Sequence, residues 1–128
     1  MDPAKPPPVV AVVEDDEPAR IALGRLLRAG GFEPALFESA EDYIRASPAP
    51  LCIVIDVQLP GMSGIELQHQ LCDAGAAPPI IVTTASHDTA LRERAEQYGC
   101  AGYFLKPVNG KALISTIVWL ADHSPTVQ

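Results

Sequence analysis

Side chains that can carry out phosphoryl chemistry stand directly after apolar runs of this sequence. Carboxylates follow two of the runs, hydroxyls follow a later one, and an ammonium follows the last. In chain order these residues are Glu14, Asp15, Asp16, Asp56, Thr83, Thr84 and Lys106. A carboxylate can act as a nucleophile toward phosphorus, whereas cations and hydroxyl donors neutralise and position the phosphoryl oxygens. If folding brings these side chains together, they can accept a phosphoryl group.

The acids need a cation if they lie side by side. Two unit charges ~4 Å apart repel by about 4 kcal/mol at an effective dielectric of about 20. Carboxylates, a backbone carbonyl and waters suit Mg²⁺, and no histidine falls among these acids, which argues against zinc or copper. Taken alone, each residue has a simpler interpretation: Asp56 as a turn or capping residue, and Glu14 as part of an acidic helix start. The predicted magnesium site therefore depends on the acids being brought together.

Apolar runs that alternate with helical patterns predict the elements that position these residues. The predicted strands cover residues 9–13, 32–37, 51–55, 80–82 and 102–105. The predicted helices begin near Pro18, Ser39, Ser63, Asp88 and Asn109 and end near Gly30, Ala46, Gly75, Gly99 and Asp122. Unbroken apolar strands separated by helices indicate a parallel sheet covered on both faces. We predict an α/β fold, a (βα)5 flavodoxin-like doubly wound parallel sheet with strand order 2-1-3-4-5.

This strand order would bring the chemically active residues to one edge. Ligands of such sheets bind at the carboxyl ends of the strands, near the point where the strand order reverses, here between strands one and three. The acids after those two strands, the hydroxyl after strand four and Lys106 after strand five would therefore meet. On the first helix, leucines are expected to face the core, with Arg20, Arg25 and Arg28 on the opposite side.

Length and composition describe one acidic domain. The chain has 128 residues, 48% of them apolar, and a net charge of −7, which argues against direct contact with nucleic acid or an anionic membrane. We predict a flexible Pro-rich extension over residues 1–8, the domain over 9–123, and a tail or linker start over 124–128. Cys52, Cys72 and Cys100 match neither a disulfide framework nor a zinc site, so we expect reduced thiols and a cytoplasmic location. His69 and His123 are expected to be exposed.

Four segments of the chain are similar to those of a known family. They are "VVEDDEPAR", "IVIDVQLPGMSGIEL", "PIIVTTA" and "GYFLKP", in the family's order and with about its separations. On these segments the chain resembles the receiver domain of two-component response regulators, over about residues 9–123. Each segment alone is a weak signal, but the four together are highly specific.

The resemblance implies roles for the acids. Asp56 would be the phosphoacceptor, taking the group from a phosphohistidine of a sensor histidine kinase or of a phosphotransfer protein. Asp15 would bind Mg²⁺ directly, Glu14 would act partly through water, and the backbone carbonyl of Gln58 would supply a further ligand. Asp16 would cap the first helix. Glu14 departs from the Asp that the family often has at this position.

The resemblance also implies a switch. Thr84 would be the switch hydroxyl, because Lys106 follows it by 22 residues, as in the family. Tyr103 matches the aromatic residue whose rotamer follows phosphorylation. The bond between Lys106 and Pro107 resembles the family's cis peptide, and Val108 departs from the Phe that usually comes next.

The resemblance thus implies a bacterial signalling receiver and not a turnover enzyme, although it would phosphorylate and dephosphorylate itself. Its output would be a surface made by helix four, strand five and helix five, which would control a partner, an effector domain or a homodimer. On helix five, one apolar stripe is expected to face the core, made of Leu113, Ile117 and Leu120. The apolar residues beside it favour such a surface, with extra core burial as an equal alternative; they are Ile114, Val118 and Trp119. A receiver-like module that binds partners without phosphorylation is the alternative function. A haloacid-dehalogenase-type phosphatase would need Asp where Gln58 stands, and a flavodoxin would need a phosphate loop where the first acids stand.

Overall fold

The computed structural model describes residues 5–75 and 77–123 of the chain. Across this part of the chain, strands and helices alternate, and all neighbouring strands are parallel. The strands are β1 (Val9–Val13), β2 (Glu33–Phe37), β3 (Cys52–Asp56), β4 (Ile80–Thr84) and β5 (Gly102–Leu105). The helices are α1 (Glu17–Ala29), α2 (Ala40–Ala46), α3 (Gly64–Asp73), α4 (Thr89–Gln97) and α5 (Gly110–His123). The strand order β2-β1-β3-β4-β5 confirms the predicted flavodoxin-like topology.

The sheet separates two apolar clusters, which explains why the central strands are apolar without interruption. Alternate residues of β1 and β3 point to opposite faces, as the two-residue period of a strand requires. One face packs against α2, α3 and α4, with Ile53 and Ile65 at its centre. The other face packs against α1 and α5, where Leu27, Leu113 and Ile117 are buried. The order of elements thus places helices on both faces, as predicted.

Helix starts follow the capping residues in the sequence. Asp16 accepts a hydrogen bond from the amide of Ala19, and this confirms Asp16 as the N-cap of α1. Ser63 and Glu66 form a reciprocal capping box at the start of α3, in which each side chain accepts from the other residue's amide. Ser39 caps α2 in the predicted position. The side chains that begin these helices are therefore read correctly from the sequence.

Some of the element boundaries differ from the predicted ones, by one or two residues. β2 begins at Glu33 because Phe32 still belongs to the turn after α1, where its amide donates to the carbonyl of Leu27. β4 extends through Thr83 and Thr84, so both hydroxyl residues lie within the strand. His69 was expected to be exposed, but it is half-buried because its ring stacks on Tyr98, with ring centroids 3.6 Å apart. That expectation was wrong, whereas His123 is exposed.

The remaining predictions about the whole chain have mixed outcomes. Residues 5–8 of the predicted extension are exposed and form no helix or strand, and the predicted tail at 124–128 lies outside the described residues. The three cysteines are free thiols, and burial raises the pKa of Cys52 to about 12. Within the described residues, none of the helices is long and apolar enough to cross a membrane.

Candidate functional site

Three carboxylates meet at the carboxyl ends of β1 and β3. Pairing of Val13 with Ile55 brings the residues that follow them side by side. One carboxylate oxygen from each of Glu14, Asp15 and Asp56 lies within 4.8 Å of the others. Glu14 is 1% exposed and Asp56 is 4% exposed, whereas Asp15 lies at the surface. The predicted gathering of acids is therefore present in the fold.

Lys106 from the end of β5 bridges the two buried acids. Its Nζ lies 2.7 Å from Oε1 of Glu14 and 3.1 Å from Oδ2 of Asp56. Partial burial of the ammonium opposes its charge, but the bonds to Glu14 and Asp56 outweigh this effect and raise the pKa of Lys106. The pKa of Glu14 is raised, mainly by burial and further by the neighbouring Asp56, although Lys106 opposes the shift. The cluster thus retains more negative than positive charge.

Main-chain amides hold the buried carboxylates in place. The amide of Gln58 donates to Oδ1 of Asp56 at 3.2 Å, and the amide of Asp16 donates to Oε2 of Glu14 at 3.3 Å. Both oxygens of Asp56 therefore have a donor, one from the chain that follows β3 and one from Lys106. Asp56 is the last residue of β3 and Glu14 directly follows β1, so the sheet and these amides together orient the two carboxylates, which favours a preorganised site.

The donor set fits a magnesium ion. Hard oxygen donors from a few carboxylates, completed by water and a carbonyl, are the surroundings that Mg²⁺ prefers. The three close acids have one ammonium beside them, that of Lys106, which contacts Glu14 and Asp56. A divalent cation would therefore balance the remaining negative charge. Burial raises the pKa of Glu14, which means that its ionised form is disfavoured here. A cation bound beside Glu14 would stabilise the ionised carboxylate. The carbonyl of Gln58 as a further ligand stays a prediction.

The hydroxyl residues of β4 lie on different sides of the strand. Thr83 pairs with Asp56 across the sheet and lines a cavity of about 320 Å³ together with Glu14 and Lys106. Thr84 is fully buried, and its Oγ1 accepts a hydrogen bond from the amide of Ser86 at 3.0 Å. Thr83 is thus the hydroxyl residue beside Asp56 in the sheet, and the assignment of Thr84 as the switch residue stays a prediction.

Tyr103 lies on β5 beside α4. The guanidinium of Arg92 sits 5.2 Å from the centre of the Tyr103 ring and is paired with Glu96 at 2.7 Å. The hydroxyl of Tyr103 is buried and has no hydrogen-bond partner within the described part of the chain. The peptide bond between Lys106 and Pro107 is cis, as predicted. Val108, where the family usually has Phe, packs against the α1 and α5 side of the core and lines the same cavity as Thr83.

The sequence did not predict two side-chain contacts with the segments that follow β1 and β3. Arg20 was placed on the solvent side of α1, but its side chain is only 11% exposed and its guanidinium contacts the main chain of the acidic turn. Glu41 on α2 accepts a hydrogen bond from the amide of Met62 at 2.9 Å, which ties down the segment between β3 and α3. Neither contact leaves a local pattern, since each joins segments that are apart in sequence or fold back over a turn.

An apolar surface lies on the side of α5 that is turned away from the core. Trp119 is 57% exposed and Val118 is also exposed, as is Leu105 at the end of β5. The core side of the same helix carries Leu113 and Ile117, which confirms the predicted buried stripe. Of the three apolar residues beside this stripe, Val118 and Trp119 are exposed, whereas Ile114 is half-buried and packs against the core. Exposure therefore holds for Val118 and Trp119, and core burial holds for Ile114.

Comparisons with known proteins agree with the geometry of the site. The model of the response regulator receiver domain family matches residues 10–118. Nodulation protein W of Bradyrhizobium diazoefficiens is 34% identical over 112 residues, which cover 86% of this chain and 49% of that protein. The transcriptional regulatory protein FixJ of Azorhizobium caulinodans is 36% identical over 111 residues, covering 84% of this chain and 52% of that protein.

A solved structure gives the same result for the fold. The structure of FixJ-N matches with a TM-score of 0.83 at 30% identity, covering 93% of this chain and 97% of that one. The chain thus spans about half the length of the curated relatives that it matches, but nearly all of an isolated domain.

Proposed function

Because the chain belongs to the response regulator receiver domain family, we propose that Asp56 accepts a phosphoryl group from a phosphohistidine of a sensor histidine kinase or of a phosphotransfer protein. Receivers of this family take part in two-component signalling and are in general not turnover enzymes. The observation that carries the proposal is the meeting of two buried carboxylates and Lys106 at the strand ends.

The transfer moves one phosphoryl group between two side chains. An oxygen of the Asp56 carboxylate forms a bond to phosphorus while the bond between phosphorus and the donor nitrogen breaks, and the nitrogen keeps the electron pair. Asp56 is suited to this attack because its carboxylate lies beside the ammonium of Lys106 and is held by the amide of Gln58. Removal of the group needs only water as the attacking nucleophile. The water oxygen forms a bond to phosphorus while the bond between phosphorus and the Asp56 oxygen breaks, which restores the carboxylate and releases phosphate.

The surrounding side chains position and neutralise the transferred group. Lys106 exchanges its hydrogen bond with Asp56 for one with a phosphoryl oxygen, while its bond to the buried Glu14 keeps it in place. Thr84 keeps its own O–H available as a donor to another phosphoryl oxygen, because it accepts from Ser86 through its lone pair. Positioning and charge neutralisation are most of what phosphoryl transfer requires.

Receivers of this family bind Mg²⁺ at an acidic pocket, and this chain has such a group of acids. Glu14, Asp15, Asp56 and the carbonyl of Gln58 would hold the ion, which supplies charge neutralisation to the phosphoryl oxygens when bound. Glu14 and Asp15 orient and balance charge without themselves forming a bond to phosphorus. We therefore expect phosphorylation to require Mg²⁺.

The output is a change in the surface formed by α4, β5 and α5. Movement of the Thr84 hydroxyl toward the phosphoryl group vacates space near β5, and Tyr103 fills it. α4 can follow because few of its side chains are held in the core: Ala95 is buried, Leu91 is half-buried, and the other residues of the helix are exposed. The exposed apolar side chains Leu105, Val118 and Trp119 then offer a face for a partner, an effector domain or a second copy of the chain. A coupling of about 1–3 kcal/mol would change partner affinity severalfold to a hundredfold.

Incubation with acetyl phosphate, followed by intact-protein mass spectrometry, tests the acceptor. The native protein should gain the mass of one phosphoryl group with Mg²⁺ and much less after chelation. Asp56→Asn should not be labelled, whereas Asp16→Asn should be, because Asn caps α1 as well as Asp does. Labelling of Asp56→Asn at the native level would place the acceptor elsewhere. Absence of labelling in the native protein would favour a module that binds partners without phosphorylation.

A pair of isosteric variants tests the switch. Thr84→Val and Thr83→Val remove one hydroxyl each at neighbouring positions of β4. Both should still be phosphorylated, but Thr84→Val should lose the change in oligomeric state or partner affinity that phosphorylation or beryllofluoride induces. Light scattering measures this change. If Thr83→Val loses it and Thr84→Val keeps it, the switch hydroxyl is Thr83.

A further inference from the structure

An arginine whose side chain is largely buried, Arg20, clamps the turn that carries the acids proposed to bind Mg²⁺. Nη1 of Arg20 donates to the main-chain carbonyl of Glu14 at 2.9 Å and to that of Asp15 at 3.3 Å. Nη2 reaches the carboxylate of Glu38, before α2, at 3.4 Å. We propose that Arg20 is a positioning residue, which holds the backbone of Glu14 and Asp15 so that both carboxylates face Asp56.

The placement of the guanidinium is unusual for a residue beside a negatively charged site. The shortest hydrogen bond of Arg20 goes to a main-chain carbonyl, that of Glu14. The carboxylate of Glu38 lies farther from the guanidinium, and the Glu38 side chain is 72% exposed. The Arg20 side chain is only 11% exposed, and burial of its guanidinium is tolerated because acceptors match its planar set of donors. The contacts therefore indicate that the shape of the acidic turn is what Arg20 stabilises.

The clamp is anchored at both ends. Arg20 lies in the first turn of α1, where its own amide donates to the carbonyl of Asp16 at 2.9 Å. Its side chain folds back over the turn to the carbonyl of Glu14, six residues earlier in the chain, and so joins the helix to the end of β1. The turn between β1 and α1 is thus held from both sides, and the backbone that carries Glu14 and Asp15 cannot shift without breaking these bonds. Orienting contacts of this kind change metal affinity by about tenfold to a hundredfold in other sites.

Charge and positioning make opposite predictions, which makes the inference testable. Arg20 is a cation near a site for a cation, so removing its charge alone would strengthen Mg²⁺ binding. Removing its hydrogen bonds frees the acidic turn and would weaken Mg²⁺ binding. We expect the second effect to dominate. This inference rests on the proposed magnesium site but not on phosphoryl transfer.

The experiment measures the Mg²⁺ dissociation constant by NMR titration of backbone amides, with Arg20→Gln, Arg20→Lys and the control Arg25→Gln. Arg25 is an exposed arginine on the same helix, so this control removes an equal charge without touching the turn. Arg20→Gln should weaken Mg²⁺ binding about tenfold. Arg20→Lys keeps the charge but lacks the planar donors, so it should also bind more weakly than the native protein. Arg25→Gln should bind as well as the native protein or slightly better.

A second measurement without Mg²⁺ separates positioning from general stability. The amides of Glu14 and Asp16 donate to the carbonyl of Phe37 and to the carboxylate of Glu14. Hydrogen exchange at these two amides should be faster in Arg20→Gln, while amides of β3 stay as protected as in the native protein. Unchanged or tighter Mg²⁺ binding in Arg20→Gln would overturn the inference and leave the proposed function intact. A native protein that binds no Mg²⁺ would overturn both.

Discussion

The ammonium of Lys106 stabilises the fold as well as the site, and its removal gives the sharpest prediction. Lys106→Met leaves the carboxylates of Glu14 and Asp56 buried without the cation that now contacts both. Removing one partner of a buried ion pair typically costs about 3–5 kcal/mol. The Lys106 side chain is 29% exposed, so water reaches the ammonium and screens part of the interaction. We therefore expect the free energy of unfolding to fall by about 2 kcal/mol near pH 7.

The pH dependence of this loss identifies its cause. Glu14 already has a raised pKa because it is buried, and loss of the opposing Lys106 raises that pKa further. As pH falls through the pKa of Glu14, the carboxyl takes up a proton in the folded variant and no longer needs a cation. The loss of stability in Lys106→Met, measured without Mg²⁺, should thus shrink as the pH is lowered from neutral toward the pKa of Glu14.

Urea unfolding followed by circular dichroism measures both effects. With a slope of about 2 kcal/mol per molar urea, the expected loss lowers the midpoint by about 1 M near pH 7. Lys111→Met, an exposed lysine on α5, serves as the control and should change the midpoint little. A loss equal to that of the control, or one that does not depend on pH, would refute the assignment of Lys106 as the counter-charge of the buried acids.

Three further predictions follow from single side chains. Glu14→Gln should become more stable relative to the native protein as pH rises above 4.5, the ordinary pKa of Glu. The raised pKa of Glu14 means that the folded native protein holds this proton more tightly than the unfolded chain does, so the native protein loses stability as Glu14 ionises. Paired urea titrations at several pH values measure the difference, and a constant difference would contradict the prediction. Gly64→Ala should lose about 1–3 kcal/mol, since its Cβ would collide with the carbonyl of Asp56 and the side chain of Ile55, whereas Gly24→Ala meets mainly the flexible end of Leu36 and should lose less; thermal unfolding compares the two. Trp119→Ala should change stability by less than about 1 kcal/mol but abolish any phosphorylation-dependent association through α5; a large loss of stability with association intact would show that Trp119 serves the core.

Much of the fold could be predicted because its signals are local. The apolar run of Val9–Val13 has the pattern of a strand covered on both sides, and it forms β1 with the predicted bounds. Ser63 followed by Glu66 three residues later begins α3 with a reciprocal cap. These features depend on the preferences of a few neighbouring residues, which the tertiary structure reinforces. Phe32 shows the limit, because a turn hydrogen bond to Leu27 delays the start of β2.

Part of the candidate site was also predicted, and for a topological reason. Parallel strands all end at the same edge, so residues after β1, β3 and β5 must lie near one another once the strand order is known. The nearness of Lys106 to the acids was expected on this argument, but its direct contact with Glu14, which joins residues 92 positions apart, was not. Arg20 was not predicted, since nothing in the spacing of α1 distinguishes an arginine that folds back over a turn from one that faces water.

The sequence by itself determined which segments become strands and helices and which chemical groups stand at their ends, because hydrophobic period and capping act over a few residues. Only the tertiary structure decided which of those groups touch. It buried Glu14 and Asp56 around Lys106, turned Arg20 onto main-chain carbonyls, and left Trp119 exposed. The physical reason is that direct contact and burial depend on side-chain direction and on packing between distant segments, which no local pattern in the chain encodes.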